Sequence, residues 1–167
     1  MVNSHSVVIG GDEWGPMALT GTFNKILDSK RRLAIPKRLK EELVEEKNSQ
    51  IYIAPGTASV LLVYSEKGFE QQAQRLADFS RNGPEAARYL RLYYARAEKV
   101  EVDSQGRVCI PERLAELASL EPKQEVVLIG VQDHAEIWSA ERWNTYLNDH
   151  GPNFDEMASQ AFGQMPW

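Results

Sequence analysis

The stretch LDSKRRLAIP at residues 27–36 decides the fold, because the chain writes it again as VDSQGRVCIP at residues 102–111. At a constant offset of 75, the aspartate, the serine, the last arginine, the isoleucine and the proline are identical in the two copies. The correspondence continues further along the chain, where IYI at 51–53 matches VVL at 126–128. We therefore interpret the chain as one supersecondary unit that is written twice.

Each copy is predicted to contain a β-turn-β unit, a short helix and a β-hairpin. The elements expected in the first copy are a strand over 17–26, a turn over 28–31, a strand over 32–35, a helix over 36–46 and a hairpin over 51–64. Those expected in the second copy are a strand over 97–102, a turn over 103–106, a strand over 107–110, a helix over 111–120 and a hairpin over 126–138. Ser65 and Ser139 are expected to cap further helices, and Pro84 to open one that runs to Ala97.

Apolar spacing predicts the buried face of three of these helices. The expected stripes are Leu39, Leu43 and Val44 in the first, Ala87, Leu90 and Tyr94 in the linking helix, and Leu114, Leu117 and Ala118 in the second copy. Trp138 and Trp143 are expected to pack in the core and against a helix.

Strands this short cannot bury both of their faces alone, so the two copies are expected to close on each other about a pseudo-two-fold axis. This predicts an α+β fold with one compact β-rich core and peripheral helices. The expected organisation is a flexible N-terminal extension at 1–16, a first repeat at 17–82, a linking helix at 83–97, a second repeat at 98–148 and a C-terminal tail at 149–167. No regular element is predicted in the tail, but Phe154, Met157, Phe162 and Trp167 could dock on a neighbour.

Charge is distributed very unevenly along the chain. The net charge is −5, which alone argues against binding to nucleic acid. Residues 25–40, however, carry seven basic side chains and one acidic one, so this window is +6 and the remainder is −11. A basic window in an acidic chain is the pattern to explain. No apolar run could span a membrane, no secretory signal is evident, and the single cysteine is compatible with a reducing cytoplasm.

Catalytic and metal-binding motifs are not evident in the sequence. It contains no triad pattern, Gly-rich phosphate loop or zinc motif, so no metal or cofactor is expected. Cys109 is expected to be buried in a short strand, and His5, His134 and His150 are expected at the surface. An enzymatic function would rest on these four residues alone, and we do not predict an enzyme.

The two D-x-x-x-R turns, each followed by a short strand and Ile-Pro, resemble those of the MraZ family, which is related to the AbrB and MazE group. The resemblance covers about residues 17–148. It implies a double-split, or swapped-hairpin, β-barrel formed by both halves of the chain, and assembly into a ring-shaped homo-oligomer. It also implies a cytoplasmic, nucleoid-associated transcriptional regulator, mostly a repressor, that binds short direct repeats in double-stranded DNA upstream of the division and cell wall gene cluster.

Candidate DNA-binding residues follow from the basic first turn. They are Lys25, Asp28, Lys30, Arg31, Arg32, Lys37 and Arg38, with Asp103 and Arg107 as the corresponding motif of the second copy. Arginine can bond the O6 and N7 atoms of guanine together, so Arg31 or Arg32 is the expected base reader. Lys25, Lys37 and Arg38 are expected to bind phosphates, which position the protein without specifying sequence.

Two alternatives remain open at this stage. Each arginine of the motif could simply pair with its aspartate, which would fix the turn and aim the guanidinium. The family usually has glycine where this chain has Arg31, so either the turn type differs or a left-handed arginine is strained there. An antitoxin-like interaction module of the same fold, docking a toxin through the acidic tail, is the alternative function.

Overall fold

A computed structural model of the chain describes residues 18–45, 48–79 and 81–163. The predicted extension at 1–16 lies outside these residues. The first copy contains β1 (Thr22–Ile26), β2 (Arg32–Ala34), α1 (Lys37–Leu43), β3 (Gln50–Pro55), β4 (Leu61–Ser65), α2 (Glu66–Phe79) and α3 (Pro84–Arg96). The second copy contains β5 (Glu98–Glu101), β6 (Arg107–Cys109), α4 (Glu112–Leu117), β7 (Glu125–Val131), β8 (His134–Ser139), α5 (Ala140–His150), a 3-10 turn (Gly151–Asn153) and α6 (Phe154–Phe162).

The two copies exchange strands. Within the described residues, the strands form a six-stranded antiparallel sheet in the order β1-β7-β8-β4-β3-β5 and a two-stranded antiparallel ribbon of β2 and β6. Replacing every strand by its counterpart in the other copy reverses this order and leaves it unchanged, as a pseudo-two-fold axis between β4 and β8 requires. The α+β fold and the internal repeat are therefore confirmed. The described strands do not close by hydrogen bonds into one barrel, because β1 and β5 are the edges of the sheet.

The main core lies between the ribbon and one face of the sheet. Leu33 of β2 and Val108 of β6 point into it, as do Ile53 of β3 and Leu128 of β7. Helices α1 and α4 cover its ends with Leu39, Leu43, Leu114 and Ala115, all of which are buried. Both copies contribute to this one core, so neither half has an apolar centre of its own to fold around.

Helices cover the other face of the sheet. Ser65 and Ser139 cap α2 and α5 as predicted, because their hydroxyl oxygens accept hydrogen bonds from the N–H groups of Gly68 (2.9 Å) and Arg142 (3.2 Å). Under α2 and α3, the ring of Phe69 stacks on that of Tyr52 with centroids 4.1 Å apart. Under α5, Trp138 packs edge-on against Trp143, as expected.

Two of the predicted helix stripes were wrong in detail. In α3 the buried residue is Tyr93, whereas Ala87 and Tyr94 are exposed, because Tyr93 is the ring that reaches the Phe69 stack. In the second copy Leu114 and Ala118 are buried as expected, but Leu117 is exposed. In the first helix Leu39 and Leu43 are buried, while Val44 follows the helix end and is half-buried.

Three further predictions are corrected by the fold. Cys109 is exposed, because it shares the outer face of the ribbon with Arg107 two residues before it. His134 is half-buried between two carboxylates instead of lying free at the surface. The tail contains the helix α6, so it is not without regular structure.

Candidate nucleic-acid interface

The first D-x-x-x-R turn is held together by its aspartate. The Oδ1 atom of Asp28 accepts hydrogen bonds from the backbone N–H groups of Lys30 and Arg32, both at 2.8 Å. Its Oδ2 atom accepts from the Nε atom of Arg32 at 2.6 Å. One carboxylate therefore fixes both the backbone of the turn and the direction of the guanidinium, which confirms the predicted pairing.

The second turn repeats this geometry. Asp103 accepts from the backbone N–H groups of Gln105 and Arg107, both at 2.9 Å, and from the Nε atom of Arg107 at 3.0 Å. The pairing of aspartate with arginine is therefore common to both turns. It does not by itself separate Arg32 from Arg107 in function.

These hydrogen bonds favour the ionised carboxylates. The backbone N–H of Arg32, followed by its side chain and the N–H of Lys30, lowers the pKa of Asp28 to about 2. The pKa of Asp103 is also lowered, chiefly by the backbone N–H of Arg107. Both aspartates are thus charged at neutral pH, and each turn carries a fixed ion pair.

Arg31 occupies the turn position that Gly106 occupies in the second copy. Both residues adopt a left-handed backbone, with φ angles of 60° and 78°. The turn type is therefore the same in both copies, and Arg31 accepts the strain of that conformation. Its Nε atom donates to the carbonyl oxygen of Ile110 at 3.3 Å, and its own carbonyl accepts from the N–H of Ile110 at 2.9 Å. Each turn is thereby tied to the other copy, since Ile35 donates in the same way to Gly106.

The ribbon places the two motif arginines on one outer face. Arg32 pairs with Cys109, and Ala34 pairs with Arg107. Because side chains alternate across a strand and Leu33 and Val108 point inward, these four side chains share the outward face. The arginines stand diagonally, about 7 Å apart along the ribbon, with a small side chain opposite each.

The other predicted cations are arranged less uniformly. Lys30 at the turn tip and Lys37 at the start of α1 are exposed, while Lys25 is half-buried on β1. Arg38 is engaged within the protein, because its Nη2 atom donates to the Thr20 carbonyl oxygen at 2.9 Å and its guanidinium lies 5.3 Å from the centre of the Phe23 ring. A phosphate contact from Arg38 would have to share or replace these partners.

Lys40 is a cation that the sequence-based site did not include. A Cβ atom added to Gly106 would lie 3.6 Å from the Nζ atom of Lys40, so this ammonium group stands beside the second turn. It supplies positive charge where the second copy has Gln105 and Gly106 instead of lysine and arginine. The signal was present in the sequence, because Lys40 belongs to the basic window.

The part of the chain that the structure describes offers little for other chemistry. No group of three or more histidine, cysteine or acidic side chains within it could hold a metal ion. No described helix has the length and apolar character needed to cross a bilayer. The ribbon with its two turns is therefore the site that the duplicated sequence motif builds.

Fold and site together define an internally duplicated α+β protein in which exchanged strands present paired Asp–Arg turns on a two-stranded ribbon. The family model described as "MraZ protein, putative antitoxin-like" matches the chain twice, over residues 18–92 and 93–165. The chain belongs to the MraZ family.

Curated relatives extend over most of the chain. A protein named Transcriptional regulator MraZ from Finegoldia magna is 36% identical over 132 residues, which cover 79% of this chain and 88% of that protein. Proteins of the same name from Limosilactobacillus reuteri and Alkaliphilus metalliredigens are 36% and 34% identical over 140 residues, or 84% of this chain and 94% of each relative. The solution structure of PHS018 from Pyrococcus horikoshii aligns with 74% of this chain and 97% of its own, but at 13% identity and a TM-score of 0.33 it carries no argument.

Proposed function

We propose that the chain is a sequence-specific DNA-binding transcriptional regulator that lays the β2-β6 ribbon on duplex DNA. The observation that carries the proposal is the diagonal pair of Arg32 and Arg107, each aimed from the outer ribbon face by its own aspartate. The major groove of DNA admits a two-stranded β-ribbon, and the guanidinium fork matches the edge of guanine. Membership of a family whose curated relatives are named transcriptional regulators supports the same function.

The residues divide between reading bases and binding phosphates. Because the Nε atom of Arg32 is bound to Asp28, its two Nη groups are the ones directed at a ligand, and the same holds for Arg107. We assign base reading to these Nη groups, with Arg31 beside them. Lys30 and Lys37 are exposed and suit phosphate contacts, which add affinity that falls steeply with salt. Lys25 and Arg38 complete the basic surface around the first turn.

One ribbon provides too few contacts for tight binding, so we propose assembly into a ring. The two copies of the chain complete a swapped-hairpin barrel, and several barrels around a ring present their ribbons to successive direct repeats of the promoter. Linking sites in this way raises the effective concentration of each and adds about 10²–10⁴-fold in avidity. Occupancy of repeats upstream of the division and cell wall gene cluster would repress transcription, in the cytoplasm and on the nucleoid.

A salt titration of promoter DNA tests this function. Binding of a duplex with the tandem repeats, followed by fluorescence anisotropy, is expected to weaken steeply as salt rises. Lys30→Gln should weaken binding to all sequences and reduce the slope of log affinity against log salt by about 1. Lys67→Gln removes an equal charge from α2, on the opposite side of the sheet, and should leave the slope unchanged. Binding that is indifferent to salt would contradict the proposal.

The antitoxin-like interaction module remains the second candidate. It is favoured by the description of the family model and by the acidic, apolar helix α6 of the tail. It requires a stable complex with the product of a neighbouring gene. Purification of the chain at native levels with no such protein bound, together with specific binding to promoter repeats, decides for the regulator.

A further inference from the structure

Helix α6 presents a large apolar stripe that nothing in the described chain covers. Phe154, Met157 and Phe162 lie on one side of it, and Ala158 and Ala161 complete the stripe at helical spacing. Phe154 is 72% exposed and Phe162 is 69% exposed, and no described residue of α6 is buried. A contiguous apolar surface of this kind marks an interaction site more often than an ordinary surface.

The fold explains why α6 does not pack on its own sheet. Its counterpart in the first copy, α3, returns to the sheet after Gly83, whose positive φ of 102° reverses the chain, and buries Tyr93 there. In the second copy the link to α6 stays helical, since Gly151 has φ −54° and ψ −45°. Helix α6 therefore leaves α5 without turning back, and its stripe is left for another molecule.

The exposed face of α3 has the complementary character. Leu92 is 51% exposed at its centre, with Tyr89 beside it. Helix α3 carries Arg88, Arg91 and Arg96 against one acid, Glu85, which gives a charge of +2. Helix α6 carries two acids, Asp155 and Glu156, and no base, which gives −2. Both faces thus combine exposed apolar side chains with charges of opposite sign.

We propose that α6 of one copy lies along the exposed face of α3 in a neighbouring copy. The inference rests on the proposed ring and names its joint. Nine residues of α6 span about 14 Å, which fits within the roughly 20 Å of α3. The stripe of α6 packs on Leu92 and Tyr89, and its acids face the arginines of α3.

This joint also accounts for a closed ring. Helix α3 packs on β3, near the β5 edge, and α6 extends from α5, which packs on β7 and β8 toward the other edge. A contact between two different surfaces of identical chains is head-to-tail, and such contacts generate a ring when the rotation between neighbours closes. One joint of this size is smaller than a standard stable interface, but every copy in a closed ring is held by two of them.

The mass of the native particle tests the joint. Native mass spectrometry and light scattering are expected to find the full-length chain as a ring and Phe154→Ser/Phe162→Ser as a monomer, with its dissociation concentration raised by at least about tenfold. Far-ultraviolet circular dichroism checks that the variant is folded. Ile26→Ser removes a similarly exposed apolar side chain, 65% exposed on β1, and should leave the ring intact.

Charge reversal separates a specific contact from general damage. Arg91→Glu/Arg96→Glu and Asp155→Arg/Glu156→Arg should each disrupt the ring, and the four substitutions together in one chain should restore it. A ring that persists in Phe154→Ser/Phe162→Ser, or the absence of rescue in the fourfold variant, overturns this inference while leaving the ring itself standing. A wild-type chain that stays monomeric at every concentration contradicts the ring of the proposed function. A ring unaffected by the α6 variants that lose a complex with another protein would assign α6 to that partner instead.

Discussion

Arg31 and Gly106 occupy equivalent positions in the two turns, and both hold a left-handed backbone, with φ angles of 60° and 78°. The hydrogen bonds around them are also equivalent, because the carbonyl of each accepts from the strand of the other copy at 2.9 Å. Glycine takes this conformation without steric cost, whereas arginine does not. The first turn therefore keeps a charged side chain at the expense of backbone strain.

Arg31→Gly is expected to raise the free energy of unfolding by up to about 1 kcal/mol, because the left-handed strain outweighs the long hydrogen bond that is lost. The same variant should bind promoter DNA more weakly. Urea unfolding should show a higher midpoint with an unchanged slope. Arg31→Lys keeps both charge and strain and should resemble the wild type in stability. A less stable Arg31→Gly would contradict the account of strain.

Asp28→Asn is expected to loosen the first turn in a way that depends on pH. The pKa of Asp28 is lowered from 3.8 to about 2 in the folded chain, so its carboxylate stabilises the fold above about pH 4 and loses that effect as pH falls toward 2. The stability difference between wild type and Asp28→Asn should shrink over this interval. Asp103→Asn, the matched change in the second turn, should behave in the same direction. A difference that is constant with pH would count against the pairing.

His134 should make stability depend on pH at the other end of the range. Burial lowers its pKa, but hydrogen bonds to Glu136 (3.3 Å) and Asp133 (2.8 Å) outweigh this and raise the pKa above 6.5. Its contribution is therefore complete below about pH 6.5 and is lost as pH rises through the raised pKa. His134→Gln should thus cost more stability at pH 6 than at pH 9, as measured by urea unfolding. Equal costs at both pH values would contradict the bridging imidazolium.

Tyr93→Phe is expected to leave stability unchanged or to raise it by up to about 1 kcal/mol, because the buried hydroxyl costs desolvation without a hydrogen bond in return. The Tyr93 hydroxyl has no partner among the described residues, and burial raises its pKa. The ring would still stack on Phe69. Tyr93→Ala removes that ring and should cost about 3 kcal/mol. Thermal and urea unfolding check both, and a destabilised Tyr93→Phe would indicate a partner for the hydroxyl.

The sequence predicted the parts of the fold that depend on local chemistry. The aspartate of each turn bonds backbone N–H groups two and four residues on, and Ser65 and Ser139 cap helices, so these features can be recognised from residue type and spacing. The duplication then fixed the order of elements in the second copy. The exchange of strands followed from the symmetry of the repeat, but the register had to come from three-dimensional packing.

The errors arose where a short segment has no period to read. Cys109 belongs to a three-residue strand, and only its alternation with exposed Arg107 places it on the outer face. The stripe of α6 was readable at i, i+3, i+4, i+7 and i+8 from Phe154, yet its exposure resembles that of a loop in composition. Tyr93 and Tyr94 are adjacent, so their spacing could not tell which ring meets Phe69.

The single cysteine offers the most direct test of the ribbon as the DNA-binding surface. Cys109 is exposed on the outer face, directly opposite Arg32 in the register, and the chain has no other thiol. The rate of alkylation of the wild-type protein by iodoacetamide can therefore be measured with and without DNA. Promoter duplex with the tandem repeats is expected to slow alkylation several-fold, and protein alkylated beforehand should no longer bind. An alkylation rate that saturating promoter DNA leaves unchanged would contradict the central claim that this ribbon meets DNA.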